Sequence, residues 1–324
     1  MSDSMSFLFE TTTLKEASPG TISRCNVIYV DPTALSWQHV VDTWMACLPK
    51  EWINFRAVFV TMFNWLIPPC LSFVETRCTK VLRVTNNKIV KSLTQFVKML
   101  LSDALDENDQ NFTHFLIWIQ AVFLYAGHWS FGGTLNSDSR LIFDEFYKNL
   151  WRGEDENNLM PATEELEKIE IVIPADGSLF DYYYQFKAKG SWKYWPEFVR
   201  NFKIDESSNI QQVLVPTVDA ARYNYVLDMH IRHGVPALLF GPTGTGKSFY
   251  IQNLLTSHLS MEKFVPGVIT LSSLSTPKYI QDMIISKLLR YKHKTFGPPS
   301  GKRVFFLSMM FTCPSQINME QNLQ

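Results

Sequence analysis

The sequence contains few cysteines, and their spacing does not suggest a metal site. They are odd in number and never occur as C-x-x-C, at Cys25, Cys47, Cys70, Cys78 and Cys313. This pattern argues against zinc and favours a reducing compartment. The first ten residues, MSDSMSFLFE, lack a basic region followed by a long apolar core, so we expect no secretory signal. No internal repeat of fixed period is visible.

An excess of charge of either sign is also absent. The chain of 324 residues has 30 basic and 31 acidic residues. It therefore has no net positive charge that would attract nucleic acid or anionic lipid to the protein as a whole. With 46% hydrophobic residues, the chain is expected to form about two globular domains.

The charge is nevertheless uneven near the C-terminus, where no acid occurs between Asp282 and Glu320. Six basic residues lie in that interval, namely Lys287, Arg290, Lys292, Lys294, Lys302 and Arg303. One interpretation is that these residues contact the phosphate backbone of a nucleic acid, and the other is that they form a solvated surface. The sparse aromatic residues and the neutral overall charge favour a solvated surface.

Two apolar stretches are long enough to resemble membrane spans. Residues 57–74 contain Asn64 and the pair Pro68-Pro69, and residues 112–131 contain polar side chains such as Gln120. We interpret both as buried helices of a packed α-helical domain and expect no membrane association.

One octapeptide fits the phosphate-loop pattern G-x-x-x-x-G-K-[ST] at every specified position. Its residues are Gly241, Pro242, Thr243, Gly244, Thr245, Gly246, Lys247 and Ser248. The apolar run 236–240 predicts a strand before it, and the helical spacing over 248–257 predicts a helix after it. The alternative is an ordinary glycine-rich turn between a strand and a helix.

This arrangement suits the binding of a nucleoside triphosphate. Glycines let backbone N–H groups turn towards an anion, and the following helix N-terminus adds a partial positive charge. Lys247 is expected to reach the β- and γ-phosphates, and the Ser248 hydroxyl to ligate Mg²⁺. The predicted cofactors are therefore ATP or ADP with Mg²⁺.

The remaining patterns predict an α/β fold. Residues 36–146 have helical periodicity throughout. Strands are predicted at 26–30, 170–174, 180–186, 192–195, 267–271 and 304–307, with a turn at Asp176-Gly177. Further helices are predicted over 218–231, ending before Gly234, and from Thr276-Pro277 to residue 290. The alternation of strands and helices around the phosphate loop indicates a mostly parallel sheet covered by helices.

Several groups of residues together resemble a known family. They are residues 17–25, residues 129–133, Ser139-Arg140 with Phe143-Asp144, residues 215–219 with Arg222, the phosphate loop, and residues 296–302. In this order, and up to about Leu307, the chain resembles an internal piece of a dynein heavy chain, an ATP-driven microtubule motor built on a ring of AAA+ modules. Residues 150–200 resemble the axonemal, ciliary type.

The resemblance implies an AAA+ P-loop NTPase fold with an incomplete parallel sheet, preceded by an α-helical small subdomain. Residues 1–35 would end the large subdomain of the second ring module, and residues 36–150 would form its small subdomain. Residues 151–307 would begin the large subdomain of the third module. The tail 308–324 does not resemble the family and is typical of an alternative ending.

Partners and location are implied in the same way. In the full-length protein they would be the rest of the motor ring, the dynein intermediate and light chains, and microtubules. No nucleic acid is expected. The expected location is the cytoplasm, the cytoskeleton and the ciliary axoneme.

The resemblance also suggests roles for single residues. Arg24 would be an arginine finger towards a neighbouring nucleotide, with a surface ion pair as the alternative. Arg140 would be a sensor arginine, or simply a helix-surface residue. Val215, Pro216 and Thr217 would pack against adenine, or merely end a strand.

The acids needed for hydrolysis are missing. A P-loop ATPase needs carboxylates after a second strand to hold Mg²⁺ and orient water, and in this family an acidic pair ends that strand. Here residues 304–307 are followed by Ser308-Met309-Met310. We therefore predict no catalytic residue in this chain and nucleotide binding without hydrolysis.

Two other functions remain open at this point: a non-catalytic scaffold that binds other ring modules, or an unrelated P-loop ATPase. His230 and His233 are interpreted as residues of a helix end rather than as metal ligands.

Overall fold

The computed structural model describes most of the chain. The described residues are 8–30, 36–161, 168–200, 217–255, 263–272, 274–292 and 295–310. The order of helices is α1 (Pro19–Arg24), α2 (Trp37–Ala46), α3 (Arg56–Arg77), α4 (Asn86–Glu107), α5 (Phe115–Gly132), α6 (Ser137–Arg152), α7 (Trp195–Arg200), α8 (Val218–His233), α9 (Lys247–Asn253) and α10 (Pro277–Ser286). The strands are β1 (Tyr182–Gln185), β2 (Ser191–Tyr194), β3 (Phe264–Leu271), β4 (Leu289–Lys292), β5 (Thr295–Gly297) and β6 (Arg303–Met310). A 3₁₀ turn, Lys50–Phe55, precedes α3.

Helices α2 to α6 form a bundle around α5, which confirms the helical prediction for residues 36–146. Every residue of α5 from Trp118 to Gly132 is buried. A helix that is apolar on all sides is stable in water only when other elements cover it completely. Helices α3, α4 and α6 all contact α5.

Helix α3 is the first of the two apolar stretches, and it is a helix as predicted. By length and composition alone, the segment Lys50–Arg77 could cross a membrane, with a mean hydropathy of 1.7; no other helix among the described residues meets that criterion. Core helices of ordinary globular proteins pass the same test. Here 56% of the apolar window is buried against the bundle, and Pro68 and Pro69 lie inside the helix.

The hairpin of β1 and β2 packs against the bundle. The two strands are antiparallel, with Tyr183 opposite Lys193, so the strand predictions at 180–186 and 192–195 are confirmed for residues 182–185 and 192–194. Phe180 lies in a 3₁₀ turn instead, and Trp195 begins α7. The Asn108 side chain at the end of α4 donates to the Phe186 carbonyl and accepts from Ala188 N at 3.1 Å. These bonds join the hairpin to the helices through the backbone of the hairpin.

Residues 170–174 are not a strand, contrary to the prediction. The buried amide of Gln120 on α5 occupies the backbone groups that a strand partner would use. Its Oε1 accepts from Glu170 N at 2.8 Å and Ile171 N at 3.1 Å, and its Nε2 donates to the Lys168 carbonyl at 3.1 Å. The segment is therefore extended against a side chain and forms no ladder.

A buried charged group connects α5 and α6 to the turn before β1. We call it the Asp144 cluster, comprising Asp144, His128, Lys148 and Ser178. Asp144 Oδ1 lies 2.9 Å from His128 Nε2 and accepts from Ser178 Oγ at 3.0 Å, while Oδ2 lies 2.8 Å from Lys148 Nζ. Leu179 N also donates to Oδ1, at 2.7 Å. Buried charges are stable when paired and hydrogen-bonded in this way.

The pairing changes the proton affinities of both ionisable partners. Burial by itself raises the pKa of Asp144, but His128, Lys148 and the Leu179 amide outweigh it and hold that pKa well below its ordinary value. Burial lowers the pKa of His128, against the opposing effect of Asp144. His128 is therefore buried as the neutral imidazole at neutral pH.

The second part of the fold contains the phosphate loop. Strands β3 and β6 are parallel, with Val268 opposite Leu307, which confirms the strand predictions near 267–271 and 304–307. A small core packs against them, formed by Ile231, Leu254, Leu255 and Leu307. Ile231 belongs to α8, and Leu254 and Leu255 directly follow α9, so the fold is mixed α/β, as predicted.

Two further predicted strands are not strands in the structure. Residues 26–30 and 236–240 have no ladder partner, and Ile28 and Leu238 are 83% and 79% exposed. A β-strand exists only through pairing. Strands β3 and β6 pair with each other, and no third strand lies beside them in the described part of the chain.

The helix predicted to end at residue 290 is shorter. Helix α10 begins as predicted, with Thr276 Oγ1 accepting from Tyr279 N at 3.2 Å, but it ends at Ser286. The chain then forms an antiparallel hairpin of β4 and β5. The apolar spacing of residues 284–289 is compatible with a longer helix and with a strand. Leu289 and Arg290 are in a strand because β4 pairs with β5.

Removal of the Asp144 carboxylate is expected to destabilise the fold strongly. Asp144→Ala leaves the buried Lys148 ammonium without its carboxylate and the Leu179 amide without its acceptor, which costs about 3 kcal/mol or more in the free energy of unfolding. Urea unfolding followed by tryptophan fluorescence measures this. Glu145→Ala is the control, because Glu145 is the exposed neighbour on α6 and is expected to change stability by less than ~0.5 kcal/mol. Equal effects of the two variants would show that the cluster is not a structural centre.

His128 is expected to make stability depend on pH. Its pKa is lower in the folded chain, so the unfolded chain binds the extra proton as the pH falls below about 6.5. The free energy of unfolding should therefore fall between about pH 7.5 and about pH 5.5. The fall should be shallower for His128→Gln than for the wild type, and unchanged for His39→Gln, an exposed control. Parallel slopes for all three proteins would contradict the assignment.

Candidate functional site

The phosphate loop connects a segment without regular structure to helix α9. Gly244 and Gly246 have φ angles of 84° and 78°, in the left-handed region that glycine adopts at little cost. A Cβ on Gly246 would also lie 3.3 Å from the Tyr250 ring. The helix predicted to follow the loop is present, beginning at Lys247. The loop itself is exposed.

Lys247 folds back over its own loop. Its ammonium group donates to the Pro242 carbonyl and lies 3.1 Å from Thr245 Oγ1. Thr245 Oγ1 also donates to the Pro242 carbonyl, at 3.0 Å. No ion pair with Lys247 occurs among the described residues. The ammonium group thus contacts only neutral oxygens here, and a phosphate oxygen would be a stronger acceptor.

The end of β6 lies beside the helix that follows the loop. Gln252 Nε2 on α9 is 3.9 Å from Met309 Sδ on β6. Strand β6 extends to Met310, three residues beyond the predicted strand, so Ser308 and Met309 belong to it. A thioether is a poor ligand for Mg²⁺, which prefers carboxylate and other oxygen ligands.

The residues predicted to contact adenine are only partly described. Val215 and Pro216 lie outside the described residues. Thr217 is the N-cap of α8, where its side chain accepts from Ala220 N at 3.1 Å. Helix α8 then extends to His233 and ends at Gly234 in the left-handed conformation, as predicted.

Arg24 is exposed in the last turn of α1, a helix that the sequence patterns did not predict. The helix begins at Pro19, and the Ser18 side chain accepts from Thr21 N. No ion pair of Arg24 occurs within the described part of the chain, which leaves its guanidinium available to a neighbour.

Arg140 contacts the end of helix α5. Its Nε and Nη2 donate to the carbonyls of Gly132 and Gly133, at 3.3 and 3.0 Å. The guanidinium carbon lies 5.2 Å from the centre of the Phe180 ring, close enough for a cation–π contact. The side chain therefore caps α5 and holds it against the turn before β1.

His230 and His233 have structural partners. His233 Nε2 and Arg232 Nη1 both contact Asp103 Oδ1 on α4, at 2.8 and 3.0 Å, and His230 Nδ1 lies 2.7 Å from the Val226 carbonyl. No group of potential metal ligands is present in the described residues. Sequence patterns did not reveal Asp103, because its partners are about 130 residues away.

A glycine loop followed by a helix, beside a pair of parallel strands, is the arrangement of a P-loop α/β protein. Two family models match the chain. The model of the dynein heavy chain AAA lid domain matches residues 59–197, and that of the P-loop containing dynein motor region matches residues 202–309. The fold is accordingly of the AAA+ class.

Individual relatives agree with these matches. Over 94% of its length the chain is 34% identical to human dynein axonemal heavy chain 3, and over 96% it is 33% identical to human dynein axonemal heavy chain 12. Mouse dynein axonemal heavy chain 1 is 26% identical over 94% of the chain. The chain belongs to the dynein heavy-chain family, with axonemal heavy chains as its relatives. It spans 8% and 10% of the length of the two human proteins.

Arg140 is expected to affect stability and not nucleotide affinity. Arg140→Ala removes two charge-assisted hydrogen bonds to the end of α5, at a cost of about 1.5–3 kcal/mol in the free energy of unfolding. Binding of a fluorescent ATP analogue should be unchanged at a temperature where both proteins are folded. Arg152→Ala is the control, since Arg152 is exposed at the end of α6. A loss of affinity without a loss of stability would instead indicate a sensor role.

Proposed function

We propose that this chain is a nucleotide-binding section of an axonemal dynein heavy chain, which binds ATP or ADP with Mg²⁺ through residues 241–248. The observation that carries the proposal is the geometry of that loop. Gly244 and Gly246 hold the backbone in the left-handed region, and Lys247 lies over the loop on two neutral acceptors. In this proposal a phosphate replaces those acceptors, and Ser248 in the first turn of α9 ligates Mg²⁺.

The base would bind next to the N-terminus of α8. Thr217 caps that helix, and Val215 and Pro216 immediately precede it in the sequence. We assign these three residues to the adenine pocket because the resemblance to the family places them there.

We further propose that these 324 residues bind the nucleotide without hydrolysing it. Hydrolysis requires a carboxylate where the second strand ends, to hold the metal and orient water. Strand β6 has Met309 next to α9 at that point. No acid occurs in the sequence from residue 283 to residue 319.

The proposed organisation follows the ring of AAA+ modules. Residues 1–35 end one large subdomain and carry Arg24, which would point to a neighbouring nucleotide. Residues 36–150 would form the small subdomain, which contains helices α2 to α6 and shares its core with residues 171–186. Residues 151–307 begin the next large subdomain. The rest of the ring, the intermediate and light chains and microtubules would be partners of the full-length protein in the ciliary axoneme.

A non-catalytic scaffold is the second candidate. The hydrogen bonds and ion pairs that connect the helical bundle to residues after 168 favour it. Asp103, Gln120 and Asp144 each make such a contact. Such a scaffold would hold neighbouring modules at a defined angle with no need for nucleotide.

Nucleotide binding is expected to depend on Lys247. The fluorescence of a labelled ATP analogue, titrated with the 324-residue chain, should show Mg²⁺-dependent binding. Lys247→Ala should weaken it about 10- to 100-fold, the size expected when a charge-assisted hydrogen bond is lost. Lys278→Ala, on the exposed first turn of α10, is the matched control and should bind as the wild type does.

Two results would contradict the proposal. Absence of binding to the folded wild-type chain would favour the scaffold. Release of phosphate from ATP above background, abolished by Lys247→Ala, would refute the claim that the chain does not hydrolyse ATP.

A further inference from the structure

The β4–β5 hairpin combines exposed apolar and basic side chains. All four residues of β4 are exposed. Leu289, Tyr291 and Phe296 are 52%, 55% and 40% exposed, respectively. Single exposed apolar residues are common on proteins, but several in one short hairpin indicate a contact surface.

The cations of this hairpin have no carboxylate partner within the described part of the chain. Lys287, Arg290 and Lys292 are all exposed, and none takes part in an ion pair there. The sequence explains why: residues 283–319 contain six cations and no acid. A chain with net charge −1 therefore carries a concentrated positive patch at this hairpin.

One aromatic side chain of the hairpin, Tyr291, is held in position. The Tyr291 hydroxyl donates to the Pro298 carbonyl at 2.6 Å. Its ring covers Gly297, where a Cβ would lie 3.0 Å from the ring. Arg290 is opposite Phe296 in the ladder, so the two side chains leave the same face of the hairpin. A surface that is already ordered loses less entropy when a partner binds.

We propose that the β4–β5 hairpin is a docking surface for an acidic segment of a partner protein in which carboxylates alternate with apolar residues. Arg290 binds a carboxylate in bidentate fashion. Phe296 is opposite Arg290 in the ladder and shares its face of the hairpin, where it contacts the apolar residue beside that carboxylate. Lys292, past the register shift at the end of β4, attracts further carboxylates through its charge. This surface is separate from the phosphate loop, and the proposal does not depend on nucleotide binding.

The geometry favours recognition through side chains over the addition of a strand. The register shifts between Arg290 and Lys292, and β5 has only three residues. Bulges and short edge strands prevent continuous pairing with another strand.

The same observations favour a protein over a nucleic acid. Nucleic-acid surfaces combine a basic groove with aromatic faces on which successive bases stack. In this hairpin the edge of the Tyr291 ring contacts Gly297 and its hydroxyl is bonded to the Pro298 carbonyl, which fixes the orientation of the ring. Phe296 is the remaining exposed aromatic residue of β4 and β5.

The test measures the fluorescence anisotropy of a labelled peptide of Glu-Glu-Leu repeats with the 324-residue chain. Binding is expected to weaken as the salt concentration rises. A peptide of Gln-Gln-Leu repeats should bind at least ~10-fold more weakly, because it lacks the carboxylates. A labelled oligothymidylate is the nucleic-acid probe.

The key variant reverses the two charges of β4. Arg290→Glu with Lys292→Glu should weaken peptide binding at least ~10-fold, since attraction becomes repulsion. The matched control, Lys88→Glu with Lys91→Glu, makes the same change in net charge on exposed residues of α4 and should leave binding within about twofold. Phe296→Ala should weaken binding several-fold without changing its dependence on salt. Circular dichroism confirms that each variant is folded.

Three results would overturn the proposal. The peptide fails to bind the folded wild-type chain at low salt. The reversals on α4 and on β4 weaken binding equally, which would indicate only non-specific attraction. The oligothymidylate binds more tightly than the peptide and loses that binding on reversal of Arg290 and Lys292, which would assign the surface to nucleic acid.

Discussion

Helix α5 has no polar face, and the rest of the helical bundle is arranged to cover it. From Trp118 to Gly132 every residue is buried, so water must be excluded on all sides of the helix. Three helices cover most of that surface. The remainder is covered by residues 168–186 and by α8, whose Tyr225 and Tyr223 contact Tyr125 and Trp129. The bundle and the beginning of the next part of the chain therefore share one core.

Buried polar groups on α5 and α6 determine how that covering segment lies. Gln120 bonds three backbone groups of residues 168–171. Asp144 receives the Ser178 hydroxyl and the Leu179 amide, and Arg140 packs over Phe180. Each contact is directional, unlike apolar burial, so together they specify one orientation of the segment. Gln120, a polar residue on the apolar helix α5, thus fixes the position of the next segment.

The phosphate loop depends less on tertiary contacts than the bundle does. Its conformation follows from the glycines at 244 and 246 and from the start of α9 at Lys247. Its metal chemistry, by contrast, depends on what another strand brings beside it. Strand β6 brings Met309 next to Gln252, and a thioether cannot replace the carboxylate that Mg²⁺ requires. In the proposed function, nucleotide binding relies on the local loop, whereas hydrolysis would need acids from a distant segment.

The sequence by itself determined those features whose cause is local. The helices of residues 36–146, the caps at Thr217, Thr276 and Gly234, and the phosphate loop follow from side-chain periodicity and from the preferences of single residues. The absence of acids between Asp282 and Glu320 was also plain from the sequence.

Tertiary structure decided which extended runs became strands. Three apolar segments that were predicted as strands have no partner, namely residues 26–30, 170–174 and 236–240. A strand forms only when it pairs with another strand, and the local sequence does not specify that partner. The capping contact of Arg140 is local by comparison, since it spans only seven or eight residues. The pairing of Asp103 with His233 was decided by the tertiary structure, because the two residues are 130 positions apart and meet only in the fold.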